Sequence, residues 1–259
     1  MKKMLQSFAL IINYKTFIIT ALAVFSSYFC FHFNLTAKFP DMLVGVAIVF
    51  PVVFSIGSAY TRRENALQRY SDFKGHAIAL FFASRDWTTS KDSDLPMRMQ
   101  QMVYDLISKM KLMLKQSPKE WKQSEREMYG LFSKLSHMTM ELRALGVQSG
   151  EVSRVSQYLS KIIIAFDNMK IIHNYRTPVT LRTYSKVFIY IFPIIYGPYF
   201  ASTFHDYSAD LEYVMPVLYS FILVSLDNIQ DHLENPFDEV GEDDISIDAD
   251  EVKEFLTQK

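Results

Sequence analysis

Cysteine occurs once in the chain, at Cys30, so no disulfide can close within it and nothing points to an oxidising compartment. Glycine is scarce as well. Its eight copies build no phosphate-cradling loop, and no G-x-S-x-G nucleophile turn occurs. The six histidines form no H-E-x-x-H and no close pair, which removes the usual zinc signatures. No apolar–polar alternation is long enough for a strand, and no internal repeat is visible, so neither a sheet nor a solenoid is expected. Catalysis has no carrier in this pattern, and no catalytic residue is assigned. The basic residues are spread over helical segments and the flanks of apolar runs, so nucleic acid is not an expected partner.

Apolar residues are plentiful. The chain is 49% hydrophobic and 15% aromatic, which excludes disorder of the whole. Four runs read as membrane spans: 16–33, 42–60, 187–204 and 213–227. A bilayer core takes about 20 residues of helix, so the fourth is short and suits a helix packed inside an oligomer. Lys2, Lys3 and Lys15 precede the first run, and Arg62, Arg63 and Arg69 follow the second. Arg176, Arg182 and Lys186 precede the third. The positive-inside rule then places both termini and the 62–186 segment in the cytoplasm. The Lys-Lys start resembles a signal peptide, but apolar character resumes past Lys15 to Phe33 with no small-residue cleavage pattern. It reads as an uncleaved span preceded by an amphipathic stretch, in a multi-pass protein of a bacterial inner membrane.

The expected class is therefore an all-α membrane protein: four transmembrane helices plus a helical cytoplasmic layer. Residues 1–61 hold the amphipathic start and the first membrane hairpin. Residues 62–186 form the cytoplasmic region, 187–237 the second hairpin with its extension, and 238–259 an acidic tail. Within 62–186, apolar residues recur at helical spacing, as in Met99, Met102, Val103, Leu106, Met110 and Met113. The breaks are expected at TTSKDSDLP (88–96), Gln116–Pro118 and GVQSG (146–150). Methionine-rich faces of this kind are core packing, because the flexible thioether fills irregular gaps between helices. The tail holds nine acids against Lys253 and Lys259, whereas the remainder has 25 basic and 19 acidic residues. Such a tail can fold back on the basic body, bind cations, or lie solvated.

The stretch Asp41–Arg69 organises the rest. It is apolar through Tyr60 and then turns abruptly charged. It also carries Gly45, Pro51, Ser55, Gly57 and Ser58, residues that suit a helix packed on others or lining a cavity. It is a candidate pore helix. The segment after it, RYSDFKGHAIALFFASRDW (69–87), has Arg69, Tyr70, Asp72 and Lys74 followed by Ala83-Ser84-Arg85-Asp86-Trp87. That pattern resembles the segment following the pore helix in the bestrophins, a family of pentameric ion channels. Thr177-Pro178-Val179 resembles the turn that enters the family's third span, with Thr180 in place of its second proline. MPVLYSFILVSLDNIQDHLENPF (215–237) is similar to the family's last membrane helix. The three matches occur in the family's order and touch both hairpins.

The resemblance implies a homo-oligomer of five copies around an axial pore in a lipid bilayer, passing small inorganic ions, chloride or other monovalent anions first. Its second helices line a neck. Aligned from Arg69, the neck positions are Val53, Gly57 and Thr61. Aligned on Pro51, they are Phe50, Phe54 and Ser58. Either set has the i, i+4, i+8 spacing of one helical stripe. Val179 matches the cytoplasmic constriction. Arg62, Arg63 and Arg69 are candidates for a positive potential below the neck, or for topology and ion pairing. Asp227, Asp231 and Glu234 share a helix face and are expected to tie the last helix to cytoplasmic neighbours. The acidic run resembles the calcium clasp of some animal members, with Glu242, Asp243 and Asp244 as candidate ligands. Inserted residues break its compactness, so a cofactor-free tail is the expected state, and Ca2+ the alternative. Two other readings stay open. One is a non-conducting scaffold or regulator that keeps the channel fold. The other is a solute transporter.

Overall fold

The computed structural model describes residues 12–38, 40–90, 92–203, 211–239 and 243–257. The expected amphipathic stretch up to Ile11 and most of the 205–212 loop lie outside those residues. Regular structure among the described residues is helical throughout. The elements are α1 (Tyr14–His32), α2 (Asp41–Asp86), α3 (Leu95–Lys115), a 3-10 turn (Pro118–Glu120), α4 (Trp121–Ala144), α5 (Ser149–Asn174), α6 (Val179–Thr203), α7 (Leu211–Leu233) and α8 (Ala249–Thr257). Each of the four apolar runs falls in a different helix. Among the described residues, only α1 and the Gly45–Asp86 part of α2 are long and apolar enough to cross a membrane by composition. The expected spans 187–204 and 213–227 are therefore not among the helices that pass by composition. In α6, two prolines and several tyrosines dilute the apolar character, with Arg182 and Lys186 in its first turns. In α7, Asp227 and Asp231 do the same near its end.

The chain divides into two compact units. The first takes the described parts of Met1–Arg63 and Arg176–Asn235, hence α1, the first part of α2, α6 and α7. Helix α1 starts at a capping box. The Asn13 side-chain oxygen accepts the Lys15 N–H at 2.9 Å, and the Thr16 hydroxyl accepts the Asn13 N–H at 3.3 Å, so two otherwise orphaned donors are satisfied. The core of this unit joins Ile19 of α1, Ile48 and Val52 of α2, Ile189 and Phe192 of α6, and Leu223 and Val224 of α7. Phe192 and Tyr196 stack within it at 4.4 Å between ring centres. Helices α1 and α6 approach closely at Gly197, where a Cβ would stand 2.2 Å from Ser26 Oγ. Small residues at a crossing permit this backbone approach.

The second unit takes 64–175 together with Pro236–Glu239 and the chain from Asp243. The later part of α2 supplies Tyr70, Phe73, Ala77, Leu80 and Phe81 to its core. The segment 69–87 is thus a buried packing element. The methionines at 99, 110, 113, 128 and 169 are fully buried in the same core, as packing predicts. The breaks between helices fall where local chemistry places them. Helix α4 ends in a Schellman motif: Val147 N–H donates to Leu142 O at 3.1 Å and Gly146 N–H to Arg143 O at 3.3 Å. Gly146 has φ +87° there, a left-handed conformation that suits glycine.

The acidic C-terminal stretch is folded into this unit over its described part. Ile245, Ile247, Ala249, Val252 and Leu256 are all buried. Asp248 caps α8 by accepting the N–H groups of Asp250 and Glu251 at 2.9 and 3.0 Å. Gln100 of α3 donates to Lys253 O and to the Thr257 hydroxyl at 3.2 and 2.6 Å. The carboxylates line the outer face, so charge count alone misrepresents a segment whose apolar residues are spaced for burial. Phe237 is buried in the core of the second unit, which is why the chain passes to that unit after Asn235.

Candidate functional site

In the first unit, α2 divides sharply by face. Val52, Ser55 and Ala59 are fully buried at i, i+3 and i+7. This back face is pinned to α6 by a hydrogen bond between the Ser55 and Ser185 hydroxyls, 3.2 Å apart and both buried. Such a bond holds helices together where few other polar partners exist. The opposite face is exposed, and it carries both candidate stripes. Phe50, Val53 and Phe54 are each more than half exposed, and Gly57, Ser58 and Thr61 are exposed too. The two stripes are neighbours on one face. Phe50 and Phe54 pack edge to face at 4.5 Å. The Thr61 hydroxyl donates to Gly57 O at 2.9 Å, which ties its polarity back to its own helix. An apolar groove of about 650 Å³ runs beside them, lined by Val49, Phe50 and Val53 of α2 against Phe192, Tyr196 and Tyr219.

A polar network gathers at the end of α7. Asp231 accepts Lys15 Nζ at 2.8 Å and Lys186 Nζ at 3.1 Å. Asp227 lies 3.7 Å from Lys15. Asn13 Nδ2 donates to Asn228 Oδ1 at 2.7 Å. Glu234, 2% exposed, accepts Arg182 Nη1 at 2.6 Å, and its main-chain carbonyl accepts Arg62 Nε at 3.1 Å. The acids thus meet the starts of α1 and α6 and the middle of α2, where its apolar part ends. Three of these partners, Arg62, Arg182 and Lys186, come from the 62–186 segment, whereas Lys15 and Asn13 come from the start of α1. The acids share a face of α7 as the spacing predicts, but Lys15 and Asn13 lie more than 200 residues away in sequence, and no local pattern signals them.

The network has a pH signature. Burial alone would raise the Asp231 carboxyl, but hydrogen bonds from Lys15 and Lys186 outweigh it and hold it below its usual range. Burial would lower the Lys15 amine, but Asp231 and Asp227 outweigh it and hold it higher. A lowered carboxyl stabilises fully above its unfolded value and loses that contribution as pH falls through the folded one. A raised amine stabilises below its unfolded value and loses that contribution as pH rises through the folded one. The full contribution to stability therefore lies between the ordinary carboxylate and lysine ranges, and the pair itself stays ionised somewhat beyond both. Asp231→Asn is expected to lower the melting temperature of the purified protein at pH 7, with the gap to wild type closing below about pH 4. A gap unchanged down to pH 3 would mean that Asp231 contributes through packing alone.

The remaining sequence candidates are dispersed. Val179 is the first residue of α6, two-thirds exposed. Arg62 and Arg63 are half-buried in the first unit. Arg69 lies in the second, paired with Asp72 at 3.1 Å one turn along α2. Asp243 is exposed and Asp244 half-buried, and Glu242 lies outside the described residues. Among the described residues, no three His, Cys, Asp or Glu side chains stand close enough to hold a metal ion.

No family model and no curated protein sequence matches the chain. Solved structures do. An isoleucine-to-threonine variant of a bacterial bestrophin homologue from Klebsiella pneumoniae superposes with a TM-score of 0.80 at 15% identity, covering 94% of this chain and 100% of that one. A tryptophan-to-alanine variant of the homologue from the same organism gives 0.78 at 17% identity, covering 93% and 95%. The chain has the bestrophin fold. A structure described only as a membrane protein, a proline-to-alanine variant, gives 0.75 at 15% identity over 94% and 98%. The coverage is nearly complete for this chain and for each of those structures. At this identity the match speaks to backbone path, so the roles of the stripe on α2 rest on this chain's own residues.

Proposed function

We propose that this chain is a bestrophin-type ion channel of the membrane, passively conducting small anions through an axial pore lined by α2 from several copies. The observation that carries the reading is the sidedness of α2. Its apolar first part buries one face on its own unit and leaves Phe50, Val53, Phe54, Gly57, Ser58 and Thr61 uncovered. The apolar part of α2, 42–60, at 1.5 Å per residue is about 28 Å long, close to the thickness of a bilayer's hydrocarbon core. Five copies, as the family resemblance implies, would bring these faces together on the axis. Val179 would form a second constriction on the cytoplasmic side, and both termini would be cytoplasmic in a bacterial inner membrane. Arg62 and Arg63 would bias the mouth toward anions.

Purified protein in planar bilayers is expected to show unitary currents whose reversal potential follows the chloride gradient. A reversal potential that follows the cation would reverse the selectivity. Silence over a range of pH, calcium and salts would favour the scaffold reading, and saturable solute flux without current the transporter.

A further inference from the structure

We infer that Glu234 is a positioning residue that holds the two candidate constrictions in register with each other, an inference that rests on the channel reading above. The argument begins with the end of a helix. Helix α7 stops at Leu233, and Asn235-Pro236 prevents its continuation. The last carbonyls of a helix have no intrahelical donor and carry the negative end of the dipole. The Glu234 carbonyl is one such acceptor, and it takes Arg62 Nε at 3.1 Å. Arg62 directly follows Thr61, the last residue of the first stripe. The same residue's carboxylate is 2% exposed and takes Arg182 Nη1 at 2.6 Å, with Gln230 Nε2 at 3.4 Å on its other oxygen. Arg182 lies one helical turn after Val179, and its N–H donates to Pro178 O at 3.2 Å, in the turn that presents Val179. One buried residue therefore grips α2 just past its apolar part through its main chain and the start of α6 through its side chain.

The carboxylate matters for more than packing. Its removal leaves the Arg182 guanidinium, itself only 22% exposed, without its acceptor, and a partly buried charge in that state moves toward water. Movement of Arg182 carries the first turn of α6 with it. Because Glu234 is also the residue that meets Arg62, that movement is felt in α2 just past its apolar part. Glu234 thus joins the two segments at the level of the constrictions, below the Ser55–Ser185 bond that already pins α2 to α6.

The test compares the full-length oligomer with Glu234→Gln, which keeps the shape and an acceptor oxygen but loses the charge. Amide exchange is expected to rise about tenfold both at 58–63 and at 179–183, with α3 to α5 unchanged. In the same preparation the unitary conductance of folded channels is expected to change by about twofold or more. Adding Arg182→Gln, which removes the stranded charge, is expected to recover part of the melting temperature but neither the paired exchange protection nor the conductance, because the contact itself is still missing. A purely stabilising role would lower the melting temperature and leave the unitary conductance as in wild type, and that result overturns the inference. So does loosening at only one of the two segments. Should wild type carry no current, the channel reading fails, and the paired exchange readout still decides the coupling. Arg182→Lys, which keeps the charge but loses the fork, gives the same readouts at smaller amplitude if Glu234→Gln does not fold.

Discussion

Gly57→Leu is expected to silence the current while leaving the fold intact. A Cβ built at Gly57 meets nothing within 4 Å, so the side chain enters open space in the single chain. Leucine is a better helix former than glycine by roughly 0.8 kcal/mol, so the stability of the unit should hold or rise. In the proposed assembly, however, each copy adds a branched apolar group to the same ring. A narrow ring of that kind excludes water and gates by dewetting, and conductance should fall by about tenfold or more. Phe54→Ala is the companion variant. Where the Phe50–Phe54–Ser58 stripe faces the axis, removing the Phe54 ring widens the neck and raises conductance, and Gly57→Leu then has little effect. The two variants together identify the register. Wild-type conductance in both would remove this face of α2 from the pore.

Gly197→Ala is expected to destabilise the first unit by about 1–3 kcal/mol, the range for forcing a methyl group into a packed interior. The added Cβ would stand 2.2 Å from Ser26 Oγ, 3.3 Å from Cys30 Sγ and 3.3 Å from the Ser26 main-chain carbon. The hydroxyl can rotate away, but the backbone of α1 cannot, so relief requires the two helices to separate. Thermal unfolding in detergent would show a lower midpoint for Gly197→Ala, and Ser26→Ala on top of it should restore only part of the loss. Full restoration would place the whole strain on the hydroxyl. No shift at all would mean that the crossing yields without cost. Gly45→Ala is the internal comparison, since its Cβ would meet Tyr196 Oη at an ordinary 3.6 Å.

Much of the fold was legible because its signals are local. The TTSKDSDLP, Gln116–Pro118 and GVQSG breaks coincide with the ends of α2, α3 and α4, where proline, glycine and capping side chains act within a turn of chain. The apolar runs coincide with α1, the first part of α2, α6 and α7 for the same reason. The methionine spacing already described one buried face per helix. The acidic C-terminal stretch was the least legible segment, because nine carboxylates outweigh in number the few apolar residues that bury it.

By itself, then, the sequence determined that the chain is helical, where its helices break, and that Asp41–Arg69 begins apolar and ends in arginine. Those properties depend on neighbours a few residues apart. Only the tertiary structure decided which face of that stretch is covered. Val52, Ser55 and Ala59 turn inward because Ser185 and the apolar side chains of α6 stand opposite them, contacts about 130 residues distant in sequence. It also decided that Glu234 meets Arg62 and Arg182 at once. A carboxylate at helical spacing announces a face, but its partners are set by how the other helices pack around it.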